Sequence, residues 1–182
     1  MRLFVAIDIN SVEVINQFEM IQTLIKEYNV RATYPARDQF HITLKFLGEV
    51  NEARISDIIN LLNMIKLNSF RIRLNGVDGF PSLKNPRVII VKVCESTELY
   101  KLQSLIEESL YKCGFKRETR PFKPHITLAR IKAPWSWRRE LIERLAQISL
   151  DSELVVDKFK LKQSILTNEG PIYKDIAIFK LR

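Results

Sequence analysis

The tetrapeptide His41-Ile42-Thr43-Leu44 recurs unchanged as His125-Ile126-Thr127-Leu128, 84 residues later, and the two copies contain both histidines of a 182-residue chain. A repeat at a fixed offset is a strong constraint, because each half must build the same unit and the two units must then meet. The flanks obey the same offset. Leu3-Phe4-Val5-Ala6-Ile7 is an apolar, strand-like run, and Val88-Ile89-Ile90-Val91 is its counterpart. An amphipathic helix is predicted after each run. In the first, Asn10 is the candidate cap and Val14, Phe18, Ile21 and Ile25 make one apolar face. In the second, Ser96 is the cap, Leu99, Leu102, Ile106 and Leu110 form the stripe, and Gly114 ends it.

The histidine-bearing strand follows in each half. A second helix comes next, with Ile55, Ile58, Leu62 and Ile65 in one half and Leu141 and Leu145 in the other, capped by Asn51 and Ser136. A final strand closes each unit: Phe70 to Leu74 in the first and about Val155 to Ile165 in the second. Ile176 to Phe179 adds one more. Gly76, Gly79, Pro81 and Pro86 are read as the turn between the units. No flexible linker separates the halves, so residues 1–182 are expected to form a single bilobal domain. Its internal repeat spans approximately 1–80 and 86–182, two β-α-β-α-β units packed about a pseudo-twofold axis.

Composition narrows the class of function. Apolar residues make up 46% and charged residues 27%, the balance of a globular protein. Lys plus Arg exceed Asp plus Glu by 29 to 21, a formal charge of +8 that favours polyanionic partners such as RNA or nucleotides. No apolar run approaches the roughly 18–20 residues that span a bilayer, and Asp8 comes too early for a secretory signal, so no membrane and a cytoplasmic location are expected. Cys94 and Cys113 are too few for a disulfide framework and read as small buried hydrophobes or simple bystanders.

Side chains alternate faces along a strand, so His41, Thr43 and Lys45 are expected on one face and Ile42, Leu44 and Phe46 on the other. His125 and Thr127 repeat the pattern. If the two central strands meet, two imidazoles and two hydroxyls converge on one cleft. Such a cleft suits phosphoester hydrolysis without a metal. One neutral imidazole takes a proton from water, a protonated one donates to the leaving oxygen, and the hydroxyls hold the non-bridging phosphoryl oxygens. Zinc chemistry wants three protein ligands, and the sequence has no His-x-x-x-His or Cys-x-x-Cys spacing to supply them. Arg117, Arg120 and Lys123, interleaved with Phe115 and Phe122, suggest a loop that holds an RNA backbone and a stacked base. Trp135 and Trp137, beside Arg138 and Arg139, read as a helix start with a packed indole.

These residues resemble the 2H phosphoesterase superfamily, named for paired His-x-Thr/Ser-x motifs, and within it the RNA 2',3'-cyclic phosphodiesterase (LigT-like) family. The resemblance runs in order through Leu3 to Asp8, Phe40 to Val50, Gly79 to Ser82 with Pro86-Arg87-Val88, and Phe122 to Arg130. It implies an α+β fold, a duplicated unit whose antiparallel sheets form a barrel-like concave cleft. It implies hydrolysis of RNA or nucleoside 2',3'-cyclic phosphate to the 2'-phosphomonoester, with His41 as proton donor, His125 as acceptor, and Thr43, Thr127 and Arg130 on the phosphate. No cofactor and a monomeric enzyme acting on RNA ends or cyclic nucleotides are expected. Strict alternation from His125 sets Arg130 on the wrong face, so it reaches the phosphate only if the strand twists, bulges or ends before it. Two alternatives stay open: joining of RNA through a 2',5' linkage, the reverse reaction at the same site, and a non-catalytic RNA- or nucleotide-binding module.

Overall fold

The computed structural model describes residues 1–133, 137–168 and 170–182. Along the chain run β1 (Arg2–Asp8), α1 (Val12–Glu27), β2 (Ala32–Thr33), β3 (His41–Glu49), a 3-10 turn (Glu52–Arg54), α2 (Ile55–Asn63) and β4 (Phe70–Phe80). They are followed by β5 (Val88–Val93), α3 (Thr97–Lys112), β6 (His125–Ile131), α4 (Arg139–Ala146), β7 (Glu153–Val156), β8 (Lys158–Thr167) and β9 (Gly170–Lys180). All pairings are antiparallel, in the order β7-β4-β5-β6-β3-β1-β8-β9, with β2 added alongside β6. The α+β class and the duplicated antiparallel architecture are as expected. Among the described residues, no helix is long and apolar enough to cross a membrane.

The two halves match strand for strand. Ala6, Ile7 and Asp8 pair with Thr43, Ile42 and His41, while Ile90, Val91 and Lys92 pair with Thr127, Ile126 and His125. Each ladder then slips by one residue at the same place: β1 passes from Thr43 to Lys45, and β5 from Thr127 to Ala129. A β-bulge therefore follows each histidine motif, and it reverses which residues face out beyond it.

Local signals differ from the sequence expectation at several positions. Ser11, not Asn10, caps α1, its side chain accepting from the Val14 N–H. Asn51 caps the 3-10 turn that leads into α2, and α4 starts after Arg138 without a side-chain cap. The expected cap Ser136 lies outside the described residues. β4 does not stop at Leu74 but runs on to Phe80, because Gly76, at φ +67°, supplies a left-handed residue where the ladder slips between Leu74 and Val77. The stretch read as one strand from Val155 to Ile165 is two, β7 and β8. Ser96 and Gly114 stand as expected at the two ends of α3.

The larger correction concerns the closing strands. β4 does not complete the sheet of its own half. It pairs with β5 of the second half, and β8 pairs with β1 of the first. The halves thus exchange strands, and the helices follow: α1 packs on β6 and α3 on β3. One continuous core results, with Phe18, Ile42, Ile58, Leu102, Ile126 and Phe159 all essentially inaccessible to solvent.

Gln22 is the exception on the buried face of α1. Its amide donates to the carbonyls of Pro35 and Leu128, both at 3.0 Å, and Leu128 is the bulged residue of β6. A bulge leaves a ladder carbonyl unpaired, and a buried unpaired carbonyl costs about 1–3 kcal/mol. Gln22→Leu is therefore expected to destabilise the fold by ~2 kcal/mol, lowering Tm by ~4–8 °C. Thermal denaturation with an unchanged Tm would show that Gln22 does not hold the bulge.

Candidate active site

The two sides of the sheet, the lobe β7-β4-β5-β6 and the lobe β3-β1-β8-β9, meet at one bridge, Ile42 against Ile126, and both residues are fully buried. Neighbours of a buried strand residue point to the opposite face, so His41, Thr43, His125 and Thr127 all rise on the concave side. The same register sets His41 across from Thr127 and Thr43 across from His125. Each histidine is thus grouped with the threonine of the other motif, and the two imidazoles lie on the diagonal. The lining of the two flanking recesses follows this cross-pairing. One, of about 250 Å³, includes His41, Thr127 and Arg130; the other, of about 510 Å³, includes His125 and Thr43.

The imidazoles are held alike. Nδ1 of His41 lies 2.7 Å from the Gln39 carbonyl, and Nδ1 of His125 lies 2.7 Å from the Lys123 carbonyl. A carbonyl only accepts, so Nδ1 carries the hydrogen in each ring and Nε2 is left for proton transfer. Aromatic edges fix the ring planes. Phe4 and Tyr173 flank His41 with centroids at 5.2 Å, and Phe80 meets His125 at 4.9 Å and 88°.

Burial pushes the His41 imidazole below its ordinary pKa. The Gln39 carbonyl and the Asp8 carboxylate oppose that shift, while Lys162 and Arg130 add to it. His125 is lowered as well, mainly by burial and then by Arg130, against the Lys123 carbonyl. Arg130 thus influences both rings from a position that simple alternation would deny it. The bulge resolves the conflict: Leu128 and Ala129 both turn into the core, and Arg130 emerges exposed on the histidine side.

The equivalent bulge in β3 overturns the expectation for Lys45. Leu44 and Lys45 both turn inward. Lys45 is 5% exposed, and its Nζ donates to both carboxylate oxygens of Glu107 at 2.8 Å and to the Lys116 carbonyl at 2.9 Å. Phe46, expected in the core, takes the outward place at 65% exposure, where Arg130 stands in the other half.

The basic loop before β6 divides. Arg120, Phe122 and Lys123 line the His125 recess, whereas the guanidinium of Arg117 covers the Tyr111 ring and Phe115 lies under Arg54. The Trp137 indole donates to the Leu83 carbonyl at 2.9 Å, the packed role expected of it, and Trp135 lies outside the described residues. Sequence reasoning missed a ring of charges beside His41. Lys162 Nζ lies 2.8 Å from Asp8 and 2.7 Å from Asp175, and Lys160 Nζ lies 2.7 Å from Asp8 and 2.6 Å from Asp175. The available signal was the alternation Lys158-Phe159-Lys160-Leu161-Lys162, which aims three lysines at one face, two of which, Lys160 and Lys162, meet Asp8 and Asp175.

Comparison with known proteins agrees with this architecture. Residues 13–164 match the profile of the 2'-5' RNA ligase superfamily. An RNA 2',3'-cyclic phosphodiesterase of Archaeoglobus fulgidus is 38% identical over 184 residues, covering 99% of this chain and 100% of its own. One from Thermotoga maritima is 37% identical, covering 96% and 92% of the two chains. The crystal structure of TT0787 of Thermus thermophilus superposes with a TM-score of 0.85 at 31% identity, covering 100% and 98%. Apo LigT of E. coli, at 23% identity and a TM-score of 0.79 over 99% and 96%, shares the fold. With that profile spanning both histidine motifs and relatives above 30% identity covering nearly its whole length, the chain belongs to the 2'-5' RNA ligase superfamily.

Proposed function

We propose that this protein is an RNA 2',3'-cyclic phosphodiesterase that opens the cyclic phosphate at an RNA or nucleoside end to give the 2'-phosphomonoester. The observation that carries the proposal is the pair of imidazoles, each with Nδ1 tied to a carbonyl, on one face of the only bridge between the lobes among the described residues. The A. fulgidus and T. maritima relatives bear the name RNA 2',3'-cyclic phosphodiesterase.

In the mechanism, Nε2 of His125 takes a proton from water as its oxygen attacks phosphorus. Nε2 of His41 gives a proton to the 3' oxygen as the P–O3' bond breaks. Thr43, Thr127 and Arg130 meet the non-bridging oxygens, where negative charge grows in the transition state. Each proton donor or acceptor must come within about 3 Å of its reacting oxygen, so the phosphorus sits between the two rings. The leaving oxygen stays on the ribose of the substrate, so the nucleoside side belongs in the His41 recess and the incoming water on the His125 side. All of these residues come from one chain, which supports a monomer as the working unit, and an RNA substrate supports the cytoplasm as its place of action.

Joining of RNA through a 2',5' linkage would use the same site in reverse. A pure binding module has no need of two imidazoles with free Nε2 atoms. Incubation of an oligonucleotide ending in a 2',3'-cyclic phosphate, with and without excess 5'-hydroxyl acceptor, separates these outcomes. A 2'-phosphate product is expected in both arms; a ligated product alone, a 3'-phosphate product, or binding without conversion would refute the proposal. EDTA is expected to leave the rate unchanged.

His41→Ala and His125→Ala are each expected to lower kcat by about 10²–10⁴-fold while the fold persists, and Arg130→Ala by about 10²–10³-fold. Single-turnover assays on variants with native circular dichroism check this. The pH profile follows from the two lowered imidazoles. His125 must be neutral, so activity rises with pH through its pKa; His41 must be protonated, so activity falls as pH passes its own. With both below their ordinary value, kcat/KM is expected to peak below about pH 6.5. Bound anionic substrate favours both imidazolium forms, so kcat should peak at higher pH than kcat/KM. A kcat/KM maximum well above neutrality would contradict the burial seen at both rings.

A further inference from the structure

Across the β1–β3 ladder His41 faces Asp8, and across the β5–β6 ladder His125 faces Lys92. Asp8 and Lys92 are themselves 84 residues apart, so the repeat has an acid and a base at one and the same position. Residues directly opposite in an antiparallel ladder share a face, with Cβ atoms about 4.5–5.5 Å apart. Both side chains therefore stand on the cleft side, each beside its own histidine. We infer that this position breaks the symmetry of the site: Asp8 makes His41 the imidazole that carries a proton to the leaving oxygen, whereas the second half, with Lys92 there, gives His125 no such carboxylate. This deepens the acid and base roles proposed above and rests on them. Asp8 acts through His41 and is a positioning residue.

The charges around each ring support the assignment. On the His41 side, the Asp8 carboxylate is fixed by Lys162 at 2.8 and 2.9 Å and by Lys160 at 2.7 Å. Asp175 of β9 closes the ring at 2.7 and 2.6 Å from the same two ammoniums. Two anions and two cations balance, but not at equal range. Asp8 is on the strand next to His41, the lysines are one strand further out, and Asp175 is two. Lys162 is 4% exposed and the Asp8 carboxylate is largely shielded, so water screens these two less than it screens the exposed Asp175. Tyr173 of β9 and Arg130 of β6 complete the set facing His41.

Around His125 the pattern differs. Lys92 of β5 is exposed, and Asp78 of β4 is engaged by the Gly79 N–H at 2.7 Å. The ring packs against the neutral edge of Phe80. Lys123 and Arg130 come from its own segment. Arg120, Glu118 and the neutralised pair Lys45 and Glu107 line the recess. Among the described residues, no carboxylate occupies the register position that Asp8 holds beside His41.

Two histidines give two imidazole NMR signals, assigned from His41→Ala and His125→Ala, so each proton can be followed without any turnover. In Asp8→Asn the His41 midpoint is expected to move to lower pH and that of His125 to stay. In Lys162→Gln the His41 midpoint should move the opposite way, and in Lys92→Glu the His125 midpoint should rise. The falling limb of kcat/KM in Asp8→Asn should move down with His41, a loss of roughly tenfold on the alkaline side of the optimum, while the rising limb stays. Opposite signs from Asp8→Asn and Lys162→Gln cannot come from general loosening of the fold. An unmoved His41 midpoint in Asp8→Asn, or shifts of the same sign in those two variants, would overturn the inference. Titrations that move as expected in a protein that leaves cyclic phosphate intact would uphold the electrostatic pairing and overturn the functional proposal instead.

Discussion

The bridge between Ile42 and Ile126 is the contact on which the site depends. Both residues are buried, so neither strand can slip by one position without turning an isoleucine to solvent and a histidine into the core. That register decides the cross-pairing of His41 with Thr127 and of His125 with Thr43, and it puts the imidazoles on a diagonal rather than side by side. The exchange of β4 and β8 between halves locks the arrangement, because each lobe is built partly from the other half's chain. The cleft is therefore a consequence of core packing on the opposite face of the same two strands.

The repeated bulge is the second device. Without it, Arg130 would point at the core and Lys45 at the substrate. With it, one half offers a guanidinium and the other a phenyl ring, Phe46, at the same structural position. Gln22 shows how this is stabilised: a polar side chain on the apolar face of α1 reaches across to the carbonyl that the bulge frees. Around an almost symmetric frame, a few unlike residues give the two sides of the cleft different chemistry.

Much of this was legible in the chain. The histidines and threonines stood out because an identical tetrapeptide recurs at a fixed offset, and a helix stripe such as Leu99, Leu102, Ile106 and Leu110 declares its buried face by spacing alone. What was not legible depends on distant partners. Nothing in Leu44-Lys45 or Leu128-Ala129 marks a bulge, since neither has a glycine, so the places of Lys45, Phe46 and Arg130 could not be read from alternation. Strand exchange is decided by pairing across the chain, and a strand such as β4 passes through Gly76 because β5 and β7 hold it on either side. The Asp8 and Lys92 contrast was present in the same offset that revealed the histidines, yet it gains meaning only when the ladders set each residue against an imidazole.

The central claim is that two imidazoles act on one phosphorus from opposite sides. A crystal structure with a nucleoside vanadate, whose five-coordinate metal centre mimics the transition state, tests it most directly. The account predicts vanadium between the rings, one apical oxygen within hydrogen-bond reach of Nε2 of His41 and the other within reach of Nε2 of His125. Thr43, Thr127 and Arg130 should meet the equatorial oxygens. Vanadate held by one histidine alone, or bound away from the Ile42 and Ile126 bridge, would contradict it.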